Sequence, residues 1–332
     1  AGQKQVRSGI PCSGDIGPHV SFRRRVATTT ESHLTDIAHL LFRSASQVGV
    51  HLYRSRNLVD WKDEGIVLKV SDDPSSDITR GSIIERPKVI YNRKTGKFVM
   101  WFHLELKGQG YRAARSGVAV ANKVEGPYQF LGSFRPNAGK WPANLEAGAP
   151  DAARQYLERD IPGGQMSRDM TLFVDDDGAA YQFYASEENH TLQISKLTDD
   201  YLRPSGLYVR AMPMGDNEAP SVFKHDGKYY LITSGLSGWA PNAARSFVAD
   251  QIFGPWMPLG NPVRGNPEQV AKTFGGQATF VLPYRKGFIF MGDIWKPKNP
   301  IDGRYLWLPI EWEGNKPVLR WHEHWGLGQL KE

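Results

Sequence analysis

Residues 220–230 read PSVFKHDGKYY, which is an apolar segment, an Asp-Gly pair and an aromatic segment. Three further segments share this arrangement: residues 87–101 (PKVIYNRKTGKFVMW), 170–181 (MTLFVDDDGAAY) and 278–290 (ATFVLPYRKGFIF). A Gly-containing turn between two apolar runs predicts a β-hairpin. The pattern therefore predicts four copies of one hairpin unit, distributed along most of the chain.

A second sequence element follows two of these hairpins. Residues 126–132 read GPYQFLG, residues 254–260 read GPWMPLG, and residues 55–61 (SRNLVDW) are an earlier relative. We interpret this element as the outer strand of each unit. One antiparallel unit that recurs every ~50–80 residues is typical of a β-propeller. Four hairpins and a remnant before Tyr53 predict an all-β, five-bladed β-propeller with an atypical first blade; the alternative is a β-sandwich.

Two segments depart from the repeat. Residues 1–46 contain no Tyr, no Trp and no strand–Gly–strand hairpin, but they carry an Arg triplet at 23–25 and a Thr triplet at 28–30. We predict that this range is a degenerate first blade without its inner strands, or a disordered tail. Residues 47–332 then form the propeller domain. Residues 133–165 read as a long insertion with a helix-like stretch, and insertions of this length usually serve function.

Composition limits the class of protein to which the chain belongs. Of its 332 residues, 40% are hydrophobic, which is enough for a large core and excludes a disordered chain. No run of ~18 apolar residues occurs, so we expect no membrane partner. Cys12 is the only cysteine, which excludes an intramolecular disulfide. The net charge of +6 is scattered rather than interleaved with aromatic residues, so we expect no nucleic-acid partner.

The sequence also carries expectations about location and cofactors. It begins at Ala1 without Met or a charged-then-apolar leader, which predicts a secreted or periplasmic protein whose signal peptide has been removed. His322 and His324 have the wrong spacing for two ligands on one helical face. Residues 175–178 (DDDG) lack the downstream acidic ligand of a calcium loop. We predict neither a metal site nor a cofactor, find no support for a structural calcium, and expect a monomer.

Isolated polar residues stand directly before the first strand of each repeat: Glu85, Asp169, Glu218 and Gln277. In a propeller, equivalent positions on successive inner strands converge on the axis, so we expect these four to line one pocket. Hydrolysis of a glycosidic bond needs a carboxylic acid that protonates the leaving oxygen and a basic group that activates water. The pattern therefore predicts a glycosidase site, whereas pairing with a nearby Arg or Lys is the ordinary alternative for each residue alone.

A sugar site also needs aromatic faces and hydrogen-bonding side chains. Residues 234–242 (SGLSGWAPN) supply Ser237, Trp239 and Asn242 in a Gly-rich loop directly after a strand. Packing between blades is the alternative for Trp239. The other predicted sugar-binding residues, which include those in the matching places after earlier hairpins, are His103, Tyr111, Glu187 and Asn189.

Five short segments carry a family resemblance: residues 84–88 (IERPK), 166–170 (MSRDM), 218–220 (EAP), 237–242 (SGWAPN) and 274–277 (FGGQ). As a set, these segments resemble glycoside hydrolase family 43, the five-bladed propeller enzymes. More narrowly, they resemble its exo-β-1,3-galactosidase branch, which trims arabinogalactan. The resemblance covers about residues 47–325 and implies an inverting hydrolase whose carbohydrate substrate is β-1,3-galactan or arabinogalactan.

The resemblance also implies roles for individual residues. Glu218 matches the general acid, and Asp169 matches the residue that raises the pKa of the acid and orients it. The usual base, an Asp of the first blade, is absent, as it is in the galactosidase branch, which leaves Glu85 or Gln277 beside the nucleophilic water. Relatives also have an Ala-His-Gly-Gly string in the first blade, and residues 8–46 contain none.

Two other interpretations of the same sequence remain open at this point. The first keeps the fold and changes the sugar to arabinofuranose, xylose or galactofuranose. The second is a carbohydrate-binding propeller without catalytic activity, which would follow from the departure in the first blade.

Overall fold

The structure is a computed structural model, and it describes residues 19–20, 27–31, 34–40, 48–145, 151–296 and 303–330. Its strands are, in chain order, β1 (His19–Val20), β2 (Ala27–Glu31), β3 (Leu34–Leu40), β4 (Gly49–Ser55), β5 (Lys62–Lys69), β6 (Ile83–Asn92), β7 (Lys97–Glu105), β8 (Arg115–Ala121), β9 (Gln129–Phe134), β10 (Met170–Val174), β11 (Ala180–Ser186), β12 (Thr191–Leu197), β13 (Pro204–Met212), β14 (Glu218–His225), β15 (Lys228–Ser234), β16 (Arg245–Ala249), β17 (Met257–Gly260), β18 (Val263–Arg264), β19 (Gln277–Tyr284), β20 (Gly287–Ile294), β21 (Arg304–Glu313) and β22 (Lys316–Arg320). The helices are α1 (Arg154–Asp160) and α2 (Pro267–Lys272).

The described strands form five sheets arranged as an all-β propeller. Four of the sheets are four-stranded and follow chain order: β2–β5, β6–β9, β10–β13 and β14–β17. The fifth contains β19–β22, with β18 and β1 added to it. The first strands contact one another in a closed circle, from β2 to β6, β10, β14 and β19 and back to β2. This circle makes the beginnings of the first strands neighbours in space.

The four hairpins predicted from the repeat are present. They are the antiparallel pairs β6–β7, β10–β11, β14–β15 and β19–β20. Gly178 and Gly227 occupy the turns of two of them with φ of 82° and 74°, a left-handed conformation that glycine adopts without steric cost. The outer-strand element is also present, as β9 and β17. Its earlier relative corrects the prediction, because residues 56–61 lie in the connection between β4 and β5 rather than in an outer strand.

Apolar side chains fill the spaces between adjacent sheets. One cluster joins the β2–β5 and β6–β9 sheets through residues such as Leu52 and Phe102. Another joins the last sheet to the first, where Trp61 packs edge-on against Trp307. Side chains alternate between the two faces of each strand, so every sheet contributes to the clusters on both of its sides. This packing holds the inner strands in fixed relative positions.

The first sheet corrects one expectation. We expect no inner hairpin before residue 47, but β2 pairs with β3, and β3 pairs with β4. No Gly stands between β2 and β3 in the sequence, and the threonine run lies in β2, where β-branched residues are favoured. Most of residues 1–46, including the arginine triplet, lies outside the described residues, so the domain division at residue 47 stays a prediction.

Register shifts recur where the predicted site residues lie. The pairing is irregular between Glu85 and Lys88, between Glu218 and Ser221, and between Ala278 and Phe280. Such bulges change the direction in which a side chain points, and they are frequent beside active sites. The insertion after β9 contains α1, as its helix-like sequence predicts. Within the described residues, no helix is long and apolar enough to cross a membrane.

Candidate active site

One cavity lies where the first strands of four sheets begin. Its volume is about 230 Å³. The structure brings together in its lining the four residues that the repeat predicts, which are Glu85, Asp169, Glu218 and Gln277. The remaining lining residues are Arg86, His103, Tyr111, Arg168, Asn189, Gly238, Trp239 and Trp295. The positions marked by the repeat, which lie in or directly before the inner strands of the second to fifth sheets, therefore contribute to a common site.

Asp169 is held by a buried arginine. Arg86 donates from Nε to Oδ1 of Asp169 at 3.0 Å and from Nη2 to Oδ2 at 2.9 Å. The side chain of Arg86 is only 3% exposed, and that of Asp169 is 18% exposed. A two-point ion pair of this kind fixes the orientation of the carboxylate and favours its ionised form.

Gln277 has both ends of its amide engaged. Its Oε1 accepts from Nη2 of Arg86 at 2.6 Å and from Nε1 of Trp295 at 2.9 Å. Its Nε2 donates to Oγ of Ser234 at 2.9 Å. Because these contacts distinguish oxygen from nitrogen, the amide has one defined orientation in the cavity.

Glu85 is bound by an aromatic hydroxyl and an imidazole. Tyr111 donates to Oε1 of Glu85 at 2.8 Å, and Nδ1 of His103 lies 3.2 Å from Oε2. Nε2 of His103 lies 2.8 Å from Oε1 of the buried Glu105. Burial opposes protonation of His103, but Glu105 and Glu85 outweigh burial and raise its pKa to about 9. A cationic His103 thus supplies an opposite charge beside the buried side chain of Glu85.

Glu218 has a neutral partner. Its Oε1 accepts from Nδ2 of Asn189 at 2.8 Å. Burial and then the charge of Asp169 raise the pKa of Glu218 to about 8, against the opposing charges of Arg86 and Arg168. Glu218 is therefore mostly a neutral carboxylic acid at pH 7, with a proton to donate.

Two tryptophans stand at the cavity beside these polar groups. Trp239 and Trp295 meet edge to face, with ring centroids 4.8 Å apart and planes at 71°. The guanidinium of Arg86 lies 5.3 Å from the ring centroid of Trp295. Aromatic faces of this kind bind the apolar C–H surface of a ligand, while the carboxylates and amides bind its polar groups.

Three predicted sugar-binding residues do not line the cavity. Glu187 is fully buried and forms a two-point ion pair with Arg210, at 2.8 and 2.6 Å. Asn242 bonds both backbone groups of Gly235 at 2.9 Å, and Ser237 donates to the carbonyl of Ala240. Asn242 and Ser237 therefore shape the loop that carries Trp239, which is why they follow a strand without reaching the cavity.

Glu187 has a comparable supporting role. Residues 187–189 have φ of 53°, 57° and 72°, which is a strained left-handed run for non-glycine residues. Besides Arg210, Glu187 also accepts from Thr191 and Gln193. These bonds hold the turn that presents Asn189 to Glu218.

The sequence-based prediction missed four lining residues: Arg86, Arg168, Gly238 and Trp295. Arg86 lies within the IERPK segment, and Trp295 directly follows β20, so both stand beside positions that the repeat marks. An arginine between a site residue and an apolar strand was the available signal for Arg86. Among the described residues, no cluster of three or more His, Cys, Asp or Glu side chains could hold a metal ion.

The arrangement places a carboxylic acid that keeps its proton beside two carboxyl groups that face cationic partners, in one small cavity. Carboxyl groups whose surroundings separate their pKa values are suited to act as acid and as base in the same reaction. Glycosidic bond hydrolysis requires this division of roles.

Comparison with known proteins agrees with this chemistry. The model of glycosyl hydrolases family 43 matches residues 39–315. A solved structure of a family 43 β-1,3-galactosidase, BT3683 with galactodeoxynojirimycin, is 44% identical, covers 92% of this chain and 96% of that chain, and gives a TM-score of 0.87. An exo-β-1,3-galactanase from Phanerochaete chrysosporium with β-1,3-galactotriose is 30% identical over 94% of this chain and 65% of that chain, with a TM-score of 0.74.

A curated relative is more distant. The β-D-galactofuranosidase xynD of Aspergillus niger is 25% identical over 175 residues, which are 52% of this chain and 44% of that protein. The match thus spans less than half of that relative. The family match, by contrast, extends over most of the chain and includes all four polar residues of the inner strands. The chain belongs to glycosyl hydrolases family 43.

Proposed function

We propose that this protein is an inverting exo-β-1,3-galactosidase that releases terminal galactose from β-1,3-galactan or arabinogalactan side chains. The observation that carries the proposal is the cavity in which Glu218 keeps its proton while Glu85 and Asp169 face cationic partners. The sugar is proposed from the two solved relatives, whose names specify β-1,3-galactosidase and exo-β-1,3-galactanase activity.

In the proposed reaction, the proton of Glu218 passes to the glycosidic oxygen as the bond from that oxygen to the anomeric carbon breaks. A water molecule attacks the anomeric carbon from the opposite face and loses one proton to a basic group. Asp169 does not exchange protons in this scheme. Burial of Glu218 and then the charge of Asp169 raise the pKa of Glu218, so that Glu218 holds its proton before the reaction.

Two residues are candidates for activating the water, and both stay in the proposal. Glu85 is a carboxylate and can accept the proton directly, although Tyr111 and His103 already contact its oxygens. Gln277 is a neutral amide with no useful proton affinity near neutrality. It can orient the water, or accept a proton through its imidic tautomer. Two donors to its Oε1 oppose a hydroxyl at that atom.

The small cavity supports exo action. Its volume of about 230 Å³ is below the ~300–1,000 Å³ of sites that enclose drug-sized ligands. One terminal sugar ring fits such a space better than the interior of a polysaccharide, which needs an open groove.

We further propose that each of the five sheets is one blade. Contacts of the first strands around a closed circle support this assignment. The first blade is atypical, because its inner hairpin lacks a glycine turn.

A monomer is proposed because one chain supplies every lining residue of the cavity. We also propose that the protein is secreted or periplasmic, a location suited to polysaccharide degradation. Cell fractionation tests this location.

The test is product analysis with β-1,3-galactan oligomers and a panel of aryl glycosides, with the anomeric configuration followed by NMR. We expect galactose as the only monosaccharide product, formed first as the α-anomer from a β-linkage. Cleavage of aryl arabinofuranosides, xylosides or galactofuranosides without cleavage of galactosides would contradict the sugar assignment. Binding of galactan without hydrolysis would identify a carbohydrate-binding propeller.

A further inference from the structure

Arg86 makes more contacts in the cavity than the proposed reaction has used. Besides its two bonds to Asp169 and one to Gln277, Nη1 donates to Oδ2 of Asp293 at 3.1 Å and to the carbonyl of Ala278 at 3.2 Å. Asp169 precedes the third sheet, whereas Gln277, Ala278 and Asp293 belong to the fifth. One guanidinium from the second sheet thus links two sheets that are not adjacent in the circle.

The backbone supports an unusual placement of this residue. Arg86 has a φ of 52°, in the left-handed region, and it lies within the register shift between Glu85 and Lys88. Such strain persists only where the surroundings determine it, and it concentrates at functional sites. In the other three repeats, the residues that directly follow the site residue are apolar: Met170, Ala219 and Ala278. Among the four repeats, only that of the second sheet has a charged side chain directly after its site residue.

We propose that Arg86 is a positioning residue that holds Asp169 as a carboxylate and sets the direction of the Gln277 amide, so that one cation orients both sides of the reaction. Asp169 acts on the proton donor, and Gln277 lies with the candidates for activating water. The kinetic consequences of this proposal rest on the proposed function. Its electrostatic consequence, the protonation of Asp169, can be measured without any enzymatic activity.

Other charged groups face the same cavity and contribute to the electrostatic surroundings of Arg86 and Asp169. Glu85 of β6, Arg168 beside Asp169 and Glu218 at the start of β14 all line the cavity, as does His103. Asp293 faces Arg86 from β20. Of the two arginines here, Arg86 makes the two-point bond to Asp169, while Arg168 donates to the carbonyl of Tyr111 and to Glu188.

The first test measures protonation without requiring activity. Infrared difference titration follows the carboxylate band of Asp169, which is identified by its absence in Asp169→Asn. In Arg86→Gln, we expect the midpoint of protonation of Asp169 to move to higher pH by about one to three units, the range caused by a close opposite charge. Equal midpoints in Arg86→Gln and the wild-type protein would overturn the proposal.

Asp293→Asn is the matched control. It removes another partner of the same guanidinium but leaves the cation and its two bonds to Asp169. We expect the midpoint to stay in place or to move to lower pH, because the charge of Arg86 is then shared with fewer anions. An upward shift as large as that of Arg86→Gln would show a general effect of disturbing the cavity and would overturn the proposal.

The second test uses kinetics on a galactoside that the wild-type protein hydrolyses. We expect Arg86→Gln to lower kcat by about 10²–10³-fold, as for loss of one preorganised donor, with KM changed by less than about threefold. A higher KM with unchanged kcat would make Arg86 a substrate ligand and would overturn the proposal. If the wild-type protein hydrolyses no galactoside, the proposed function fails, while the titration still decides the role of Arg86.

If Arg86→Gln does not fold, Arg86→Lys still tests the role of Arg86. An ammonium group retains the charge but cannot bond Asp169 at two points and Gln277 at once. Relative to the wild-type protein, we expect a small upward shift of the Asp169 midpoint together with a lower kcat. A titration and a kcat equal to those of the wild-type protein would overturn the proposal.

Discussion

The start of β14 and the starts of β6 and β10 present carboxyl groups to the same cavity in different electrostatic surroundings. At β14, Glu218 accepts a hydrogen bond from the neutral amide of Asn189. At the other two strands, Asp169 is held by Arg86, and Glu85 lies beside His103. Burial and then the charge of Asp169 raise the pKa of Glu218, whereas Asp169 and Glu85 each face a cation. The surroundings of the carboxyl groups, rather than their residue type, therefore distinguish the proton donor from the other two.

The largest effect is expected from removing the proton donor. Glu218→Gln should lower kcat on galactan oligomers by about 10²–10⁴-fold, the usual contribution of a general acid, with sugar affinity retained. An aryl galactoside with a good leaving group should lose much less, because its departure needs no proton. Glu158→Gln, on the exposed face of α1, is the isosteric control. Full activity of Glu218→Gln would contradict the assignment.

The next effect separates the two candidates for activating water. Glu85→Gln and Gln277→Ala should both lower kcat, and added azide should restore activity only in the variant that lacks the group acting on the water. Steady-state rates with and without azide measure this difference. Asp169→Asn serves as the control, since its carboxylate is not expected to contact the water. Azide rescue of Asp169→Asn alone would require a different set of roles.

A smaller effect, with a defined sign, is expected for Asp169→Asn. A general acid is active when protonated, so activity falls as pH rises through its pKa. Asp169 raises the pKa of Glu218, and Arg86 lowers it. The variant removes the first influence and leaves the second uncompensated, so the alkaline limb of kcat/KM should move to lower pH by about one unit or more. Asp293→Asn should move that limb by less than Asp169→Asn does, because Asp293 acts on Glu218 only through Arg86. A limb that stays or rises in Asp169→Asn would contradict the role assigned to Asp169.

The smallest effect is expected from removing an aromatic side chain of the cavity rather than a carboxyl group. Trp239→Ala removes one aromatic face from the cavity and should raise KM for galactan oligomers by about 3- to 10-fold, with kcat nearly unchanged. Met257→Ala, an exposed apolar residue on an outer strand, is the control. An unchanged KM in Trp239→Ala would show that Trp239 packs against Trp295 without contacting the sugar.

The sequence was sufficient to predict the propeller and the convergence of four polar residues, because a repeat with a fixed phase places equivalent residues at equivalent points. It was not sufficient for Arg86, Glu187 or Asn242. Their positions depend on a left-handed backbone, a buried ion pair and a loop closure, none of which the alternation of apolar segments and turn residues encodes. The β2–β3 hairpin does not follow the repeat, because no glycine stands between its two strands in the sequence.

The protonation of Glu218 can be measured by titration of its carboxyl group, with infrared difference spectroscopy of the wild-type protein against Glu218→Gln. We expect a carboxylic acid band that persists at neutral pH and disappears with a midpoint of about 8. A midpoint between about 4 and 5, the ordinary range of a glutamate, would show that the cavity does not keep Glu218 protonated at neutral pH.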